Sequence, residues 1–163
     1  MTSRDRVLRA LSHKEPDRVP FNLRPSDEMR KRLQQEQHDP NIDLADFFGH
    51  DVRYVSIPAP PRPDTVPIRE WVPCPSAADI ATCREQTQRL RDRDLAVCGF
   101  YACGVFEQAK GWFGDVDTLT LPFEDPALLE RELDRITEWK LAVYGAYAQA
   151  GVDIVWIGDD LGS

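Results

Sequence analysis

Two adjacent carboxylates, Asp159 and Asp160, directly follow a short, mostly β-branched apolar run at residues 152–157. Such a run is typical of a buried strand in a parallel sheet. In α/β proteins the loops at the carboxyl ends of parallel strands carry most of the chemistry. Paired carboxylates at that position can take up protons or bind polar groups of a substrate. We therefore predict Asp160 and Asp159 as the catalytic acidic residues, with capping of a following helix as the structural alternative for Asp159.

Polar side chains also follow two of the other predicted strands. We predict four of them as substrate-binding residues: Asn22, Arg24, Tyr101 and Glu107. The carboxyl ends of parallel strands all point the same way, so these residues would share one rim with the two aspartates. Two of them also have structural alternatives. Arg24 could pair with Asp27 on the surface, and Glu107 could stabilise the first turn of a helix.

The elements that must position this rim alternate along the chain. A helix capped by Thr2 or Ser3 precedes predicted strands at 19–23, 51–57, 95–101 and 152–157. Helices are predicted at 26–37, 76–93, 105–113 and from Asp125 to Gly151, the last with an apolar stripe that includes Trp139 and Tyr147. Asp43 is predicted to cap a short turn that runs to Phe48. The alternation predicts an α/β fold with four parallel strands and right-handed crossovers. The proline-rich stretch 58–75 is predicted as a surface excursion within a single domain over 1–163.

Composition and motif content exclude several classes of function. There are 20 Lys and Arg residues against 28 Asp and Glu, a net charge of -8, which argues against nucleic acid as a partner. The charged N-terminus does not resemble a signal peptide and no apolar run reaches membrane-spanning length, so we expect a cytoplasmic protein. Four cysteines without a CxxC pair are predicted as unpaired thiols. The sequence lacks the GxGxxG motif of dinucleotide-binding folds and the GxxxxGK[ST] motif of P-loop proteins. It also lacks the GxSxG motif of α/β-hydrolases and the HExxH motif of metalloproteases.

The opening segment, RDRVLRALSHKEPDRVPF at 4–21, closely resembles the start of the uroporphyrinogen decarboxylase superfamily, in particular the branch with corrinoid-dependent methyltransferases. Three later segments resemble successive landmarks of that family: DFFGHDVR at 46–53, GVFEQAKGWFG at 104–114 with Asp125 and Pro126 after it, and AGVDIVWIGDDLG at 150–162. The resemblance implies a (β/α)8 TIM barrel with its site at the carboxyl face. Such barrels need about 250 residues, so we expect these 163 residues to be roughly the N-terminal half.

The two branches of the superfamily imply different chemistry. The decarboxylases of porphyrin biosynthesis hold substrate carboxylates with an arginine-rich RQAGRY-like motif after the first strand. This chain has FNLRPS at 21–26, where Arg24 is the only basic residue, and one guanidinium clamps only one carboxylate bidentately. The resemblance therefore favours a corrinoid-dependent, methyltransferase-like enzyme with a zinc-activated thiol. A uroporphyrinogen decarboxylase is the alternative, and a catalytically silent half-barrel that serves only as an interaction partner is a third hypothesis.

The resemblance also implies the cofactors and partners. The His and Cys ligands of zinc belong to the C-terminal half of such barrels, so we expect no metal site within this chain. The expected substrate is a methylated corrinoid or a porphyrinogen, and a corrinoid protein is a possible partner. Open edges of a four-stranded sheet would also favour self-association.

Overall fold

The computed structural model describes residues 1–23, 25–58, 64–67, 70–71, 73–101 and 103–160, which form an α/β fold. Its three parallel strands are β1 (Val52–Val55), β2 (Ala96–Tyr101) and β3 (Ile154–Ile157), in the spatial order β1-β2-β3. The described residues contain seven helices: α1 (Ser3–Leu11), α2 (Asp27–Glu36), α3 (Leu44–Phe47), α4 (Ala77–Arg91), α5 (Val105–Phe113), α6 (Asp115–Glu124) and α7 (Pro126–Ala150). The prediction of parallel strands connected by helices is confirmed.

Helices α4 and α7 pack against each other and cover one face of the sheet. The phenol of Tyr147 on α7 accepts a hydrogen bond from the Ile57 N–H (3.0 Å) and donates one to the Phe100 carbonyl (2.9 Å). Gly99 of β2 allows this close approach, because a Cβ atom there would lie 2.6 Å from the Tyr147 ring. Trp139 and Tyr147 are fully buried, as their helical spacing predicts.

Helix α1 is fastened across the amino ends of the strands by two buried carboxylates, each just before a strand. Asp51, which precedes β1, accepts hydrogen bonds from Arg6 (2.6 Å) and Arg18 (2.6 Å). Asp153, which precedes β3, binds Arg4 (2.8 Å) in the same way. The opening segment of the chain therefore closes the end of the sheet opposite to the predicted rim.

The strand predicted at 19–23 is absent from the sheet. Val19 is 83% exposed and no residue from 19 to 23 is in a strand. Pro20 has no N–H to donate to a ladder, and Phe21 is bound to Asp51 instead. The Phe21 N–H donates to the Asp51 carboxylate (2.7 Å), and its carbonyl accepts from the Asp51 N–H (2.8 Å). The segment thus lies beside the start of β1 without pairing along it.

Most helix boundaries agree with their predicted signals. Ser76 and Asp79 form a capping box at α4, and the Asp125 side chain caps α7 with Pro126 in its first turn. Gly151 ends α7 in the left-handed conformation (φ 80°). Helix α6 was not predicted, because Pro122 interrupts its pattern. None of the helices in the described part of the chain combines the length and the apolar composition of a membrane-spanning segment.

The proline-rich stretch 58–75 contains no α-helix or strand among its described residues. It is nevertheless anchored to the helical layer. The Trp71 ring lies 5.8 Å from that of Trp112, and the Trp71 carbonyl accepts a hydrogen bond from Arg135 (2.7 Å). The four cysteines are unpaired, as predicted.

Candidate active site

The carboxyl ends of β2 and β3 lie side by side and carry most of the predicted site. Phe100 pairs with Trp156 and Tyr101 with Ile157, so the loops that follow the two strands leave the sheet together. One loop leads into α5, which begins at Val105, and the other contains Asp159 and Asp160. This register explains why residues far apart in the chain meet at one rim.

Asp159, in the loop after β3, caps helix α5, which follows the neighbouring strand β2. Its carboxylate accepts hydrogen bonds from the N–H groups of Phe106 (3.0 Å) and Glu107 (2.9 Å). The N-cap residue itself, Gly104, supplies no side chain, and a Cβ at that position would overlap the Asp159 carboxylate. The helix dipole also favours a negative charge here. Asp159 therefore caps a helix, but that helix is α5, which precedes it in the chain, and not a following helix as the structural alternative supposed.

Asp160 is placed differently from its neighbour. Its side chain is exposed, and its backbone N–H donates to the Asp159 carboxylate (3.2 Å). Its carboxylate has no hydrogen-bond partner among the described residues. Because the Asp159 carboxylate already accepts hydrogen bonds from two N–H groups of α5, Asp160 is the carboxylate of the pair that remains available to a ligand.

Lys140 of α7 is a buried cation at this rim that sequence reasoning missed. The residue is 2% exposed, and its ammonium group donates to the Cys103 carbonyl (2.7 Å) and to the Gln108 side chain (3.1 Å). The same group lies 3.8 Å from the centre of the Tyr101 ring, a close cation–π contact. Burial lowers the pKa of Lys140 to about 8, against the opposing influence of Cys103, Asp159 and Glu107.

A signal for Lys140 was present in the sequence. It lies four residues after Ile136 and three before Val143, which are both buried members of the apolar stripe of α7. A lysine at that spacing must face the interior of the protein. A buried charged side chain is costly unless it has polar partners. A lysine on the buried stripe therefore indicates a cluster of polar groups beside α7.

Two tyrosines complete the rim as neutral hydrogen-bonding groups. Burial raises the pKa of Tyr101 to about 12, and the nearby thiol of Cys103 adds to this effect. Burial also raises the pKa of Tyr144, with a further contribution from the charge of Asp159. Both phenols therefore keep their protons at neutral pH and can donate hydrogen bonds.

The remaining predicted residues lie apart from this cluster. The Asn22 side chain donates a hydrogen bond to the Tyr54 hydroxyl, at one end of an aromatic row on the face of the sheet opposite α7. The row continues from Tyr54 to Phe100, with ring centres 5.5 Å apart, and from Phe100 to Trp156 at 4.8 Å. Arg24 lies outside the described residues. The structure thus brings together Tyr101, Glu107, Asp159 and Asp160, but not Asn22.

The cluster combines groups that suit a polar substrate. It offers two neutral phenols, a buried ammonium whose pKa of about 8 allows proton exchange near neutrality, and one exposed carboxylate. Among the described residues, no group of three or more His, Cys, Asp or Glu side chains could hold a metal ion. Comparison of the sequence with protein-family models and with curated proteins found no match.

Proposed function

We propose that this chain forms part of a (β/α)8 barrel of the uroporphyrinogen decarboxylase superfamily, and that its activity resembles that of the corrinoid-dependent methyltransferases. The strand order supports the barrel. The three strands follow one another in sequence order, and α4 and α7, which connect them, lie on the same face of the sheet. A doubly wound sheet would instead reverse direction and place helices on both faces.

The segments that resemble the family also contact one another. Arg6 and Arg18, from the opening segment, both bind Asp51, from the second. Arg4 binds Asp153, at the start of the last segment. Three of the four segments of the resemblance are thus connected through α1 at the amino ends of the strands. This is the arrangement expected if they stabilise the closed end of a barrel whose site lies at the other end.

The charge of the rim favours a corrinoid-dependent methyltransferase over a porphyrinogen decarboxylase. Glu107, Asp159 and Asp160 supply three carboxylates, whereas the cation described among them, Lys140, is buried and bound to Cys103 and Gln108. An acidic rim repels a porphyrinogen, which carries many carboxylates. It suits the amide side chains of a corrinoid, whose N–H groups can donate to a carboxylate such as Asp160.

The roles proposed for the site residues follow from this geometry. Asp160 binds a donor group of the ligand, and Asp159 positions α5 and Glu107. Tyr101 and Glu107 line the pocket, Lys140 holds the loop at Cys103, and Arg24 remains a candidate anion clamp. The described residues do not fit a zinc site, because they contain no suitable cluster of ligands. Any zinc that activates a thiol would need ligands from outside this set, so we assign no metal-dependent step to it.

A binding titration tests the proposal. Tryptophan fluorescence of the purified chain is followed during addition of hydroxocobalamin or coproporphyrin, for the wild type, Asp160→Asn and the control Asp134→Asn on the exposed face of α7. We expect saturable binding of the corrinoid, weakened about tenfold in Asp160→Asn because a charge-assisted hydrogen bond is lost, and unchanged in Asp134→Asn.

The other outcomes distinguish the remaining hypotheses. Tighter binding of the porphyrin would favour the decarboxylase. If neither ligand binds, the chain by itself is not a tetrapyrrole-binding unit, and the silent interaction partner becomes the better hypothesis. Equal corrinoid affinity in wild type and Asp160→Asn would refute the role of Asp160.

A further inference from the structure

Helix α6 exposes large apolar side chains on its outward face. Val116, Leu119 and Phe123 are 72%, 56% and 89% exposed. Their spacing of three and then four residues places them in one stripe along the helix. Thr118 and Leu121, on the opposite face, are buried where α6 packs against α5 and α7. The helix is therefore packed on one face, while the other leaves three large apolar side chains in water.

This stripe is unusual within the helical layer. Helix α7 is 25 residues long, and the only large hydrophobic side chain that it exposes in the described structure is Leu141. Helix α6 exposes three within 10 residues. Single exposed apolar residues are common on protein surfaces, whereas a continuous group of them marks an interaction site. The outward face of α6 therefore has the character of a contact surface.

Acidic side chains flank the stripe on both sides. At about 3.6 residues per turn, Asp115 lies on one side of it, and Asp117 and Glu124 lie on the other. All three are exposed, and α6 itself contains no Lys or Arg. Asp115 is paired with Lys110 of α5 at 3.3 Å, but Asp117 and Glu124 form no ion pair within the described part of the chain. The surface thus combines an apolar centre with negative flanks.

These charges select among the partners that could cover the stripe. A second copy of the chain would bring its own carboxylates against them, and each copy carries a net charge of -8, so repulsion disfavours this contact. An anionic lipid surface would repel the same carboxylates. A helix whose apolar stripe is flanked by Lys and Arg would instead meet the surface with opposite charges.

We propose that the outward face of α6 is a docking surface for a basic amphipathic helix of another protein. The apolar side chains of that helix pack against Val116, Leu119 and Phe123, and its cations pair with Asp117 and Glu124. The proposal is independent of the tetrapyrrole chemistry, because it uses none of the residues of the carboxyl rim.

A synthetic amphipathic peptide of leucine and lysine is the probe, made about 18 residues long so that a helix can form. Its counterpart has glutamate at every lysine position. Binding is measured by fluorescence anisotropy of the labelled peptide, present in trace amount, as the protein is added. We expect saturable binding of the Leu/Lys peptide and at least tenfold weaker binding of the Leu/Glu peptide. Leu119→Ser and Phe123→Ser should each weaken binding of the Leu/Lys peptide about tenfold.

The charged flank is tested with the double variant Asp117→Asn and Glu124→Gln. It should weaken binding and also reduce its dependence on salt, because fewer charge pairs remain to be screened. Leu141→Ser and Asp134→Asn are the matched controls, since both residues are exposed on α7 and lie outside α6. Their affinities for the Leu/Lys peptide should equal that of the wild type.

Three results would overturn the proposal. The first is an absence of saturable binding of the Leu/Lys peptide to the wild type. The second is undiminished binding in Phe123→Ser, because attraction would then depend on net charge alone and not on the stripe. The third is a wild type that associates with itself in sedimentation velocity and becomes monomeric in Phe123→Ser, because the stripe would then be a contact between copies.

Discussion

At the scale of single residues, the contacts of Asp51 give it a structural role. Asp51 is fully buried and accepts hydrogen bonds from Ser3 (2.7 Å), Arg6 and Arg18 (2.6 Å each). Burial alone would raise the pKa of Asp51, but these donors and the Phe21 N–H lower it to about 2. A carboxylate in such a network is essential to the fold and is not available for catalysis.

Replacing Asp51 by Asn should therefore destabilise the protein by about 3–5 kcal/mol at pH 7, because Arg6 loses its buried partner. The pKa of Asp51 is lower in the folded than in the unfolded state. Its contribution is thus fully present above about pH 4 and is lost as the pH falls towards about 2. Urea unfolding at several pH values should show the difference between wild type and Asp51→Asn shrinking in that window. Asp134→Asn should be neutral, and a similar loss in that control would contradict the assignment.

Lys140 predicts a rise in stability with pH as well, but in an alkaline window, because burial lowers its pKa. Its pKa of about 8 in the folded state lies below the unfolded value of about 10.4, so folding releases a proton between these values. The free energy of unfolding of the wild type relative to Lys140→Met should therefore rise by about 2 kcal/mol from pH 8 to pH 10. Comparing the two proteins cancels the titration of the buried tyrosines and cysteines. A difference that stays constant over this range would mean that burial does not lower the pKa of Lys140.

At the scale of elements, local signals predicted helix ends well and strand 19–23 badly. Helix caps depend on neighbours in sequence, such as Ser76 with Asp79. The failure at 19–23 arises because Asp51, thirty residues later, takes both backbone groups of Phe21. Helix α6 was missed because Pro122 lies inside it, and a proline within a pattern normally argues against a helix.

The candidate site was also predictable from the sequence only in part. Tyr101, Glu107 and the two aspartates could be placed at one rim because parallel strands align their ends. The capping of α5 by Asp159 could not be predicted, because Gly104 carries no side chain and the cap comes from another strand. Lys140 was predictable in principle from its position on the buried stripe.

The contact between β2 and α7 gives a prediction about elements. Gly99→Ala should destabilise the protein by about 1–3 kcal/mol, because the new methyl group would lie 2.6 Å from the Tyr147 ring and force the helix away from the sheet. Gly145→Ala is the matched control on α7, where a Cβ meets no atom within 4 Å and should stabilise the helix by about 0.5–1 kcal/mol. Urea unfolding of both variants checks the pair. If Gly99→Ala is as stable as the wild type, the Tyr147 ring is not fixed against β2.

At the scale of the whole molecule, the sheet is covered unevenly. Val155 and Ile157 of β3 align with Gly99 and Tyr101, which face α7, but they are themselves 38% and 51% exposed. Among the described strands β3 pairs only with β2, so its other edge is open. An exposed strand edge with apolar side chains is a surface at which another chain can pair.

We therefore expect these 163 residues to self-associate through β3. Sedimentation velocity should show a weight-average mass that rises with protein concentration, and more steeply in high salt, because salt screens the repulsion between chains of net charge -8. Val155→Lys and Ile157→Lys should shift the protein towards the monomer, since each places a charge in the contact. Leu141→Lys, at a 65% exposed position on α7, should leave the association unchanged. A wild type that remains monomeric at every concentration, or association that is equally weakened by Leu141→Lys, would show that the β3 surface is not the contact.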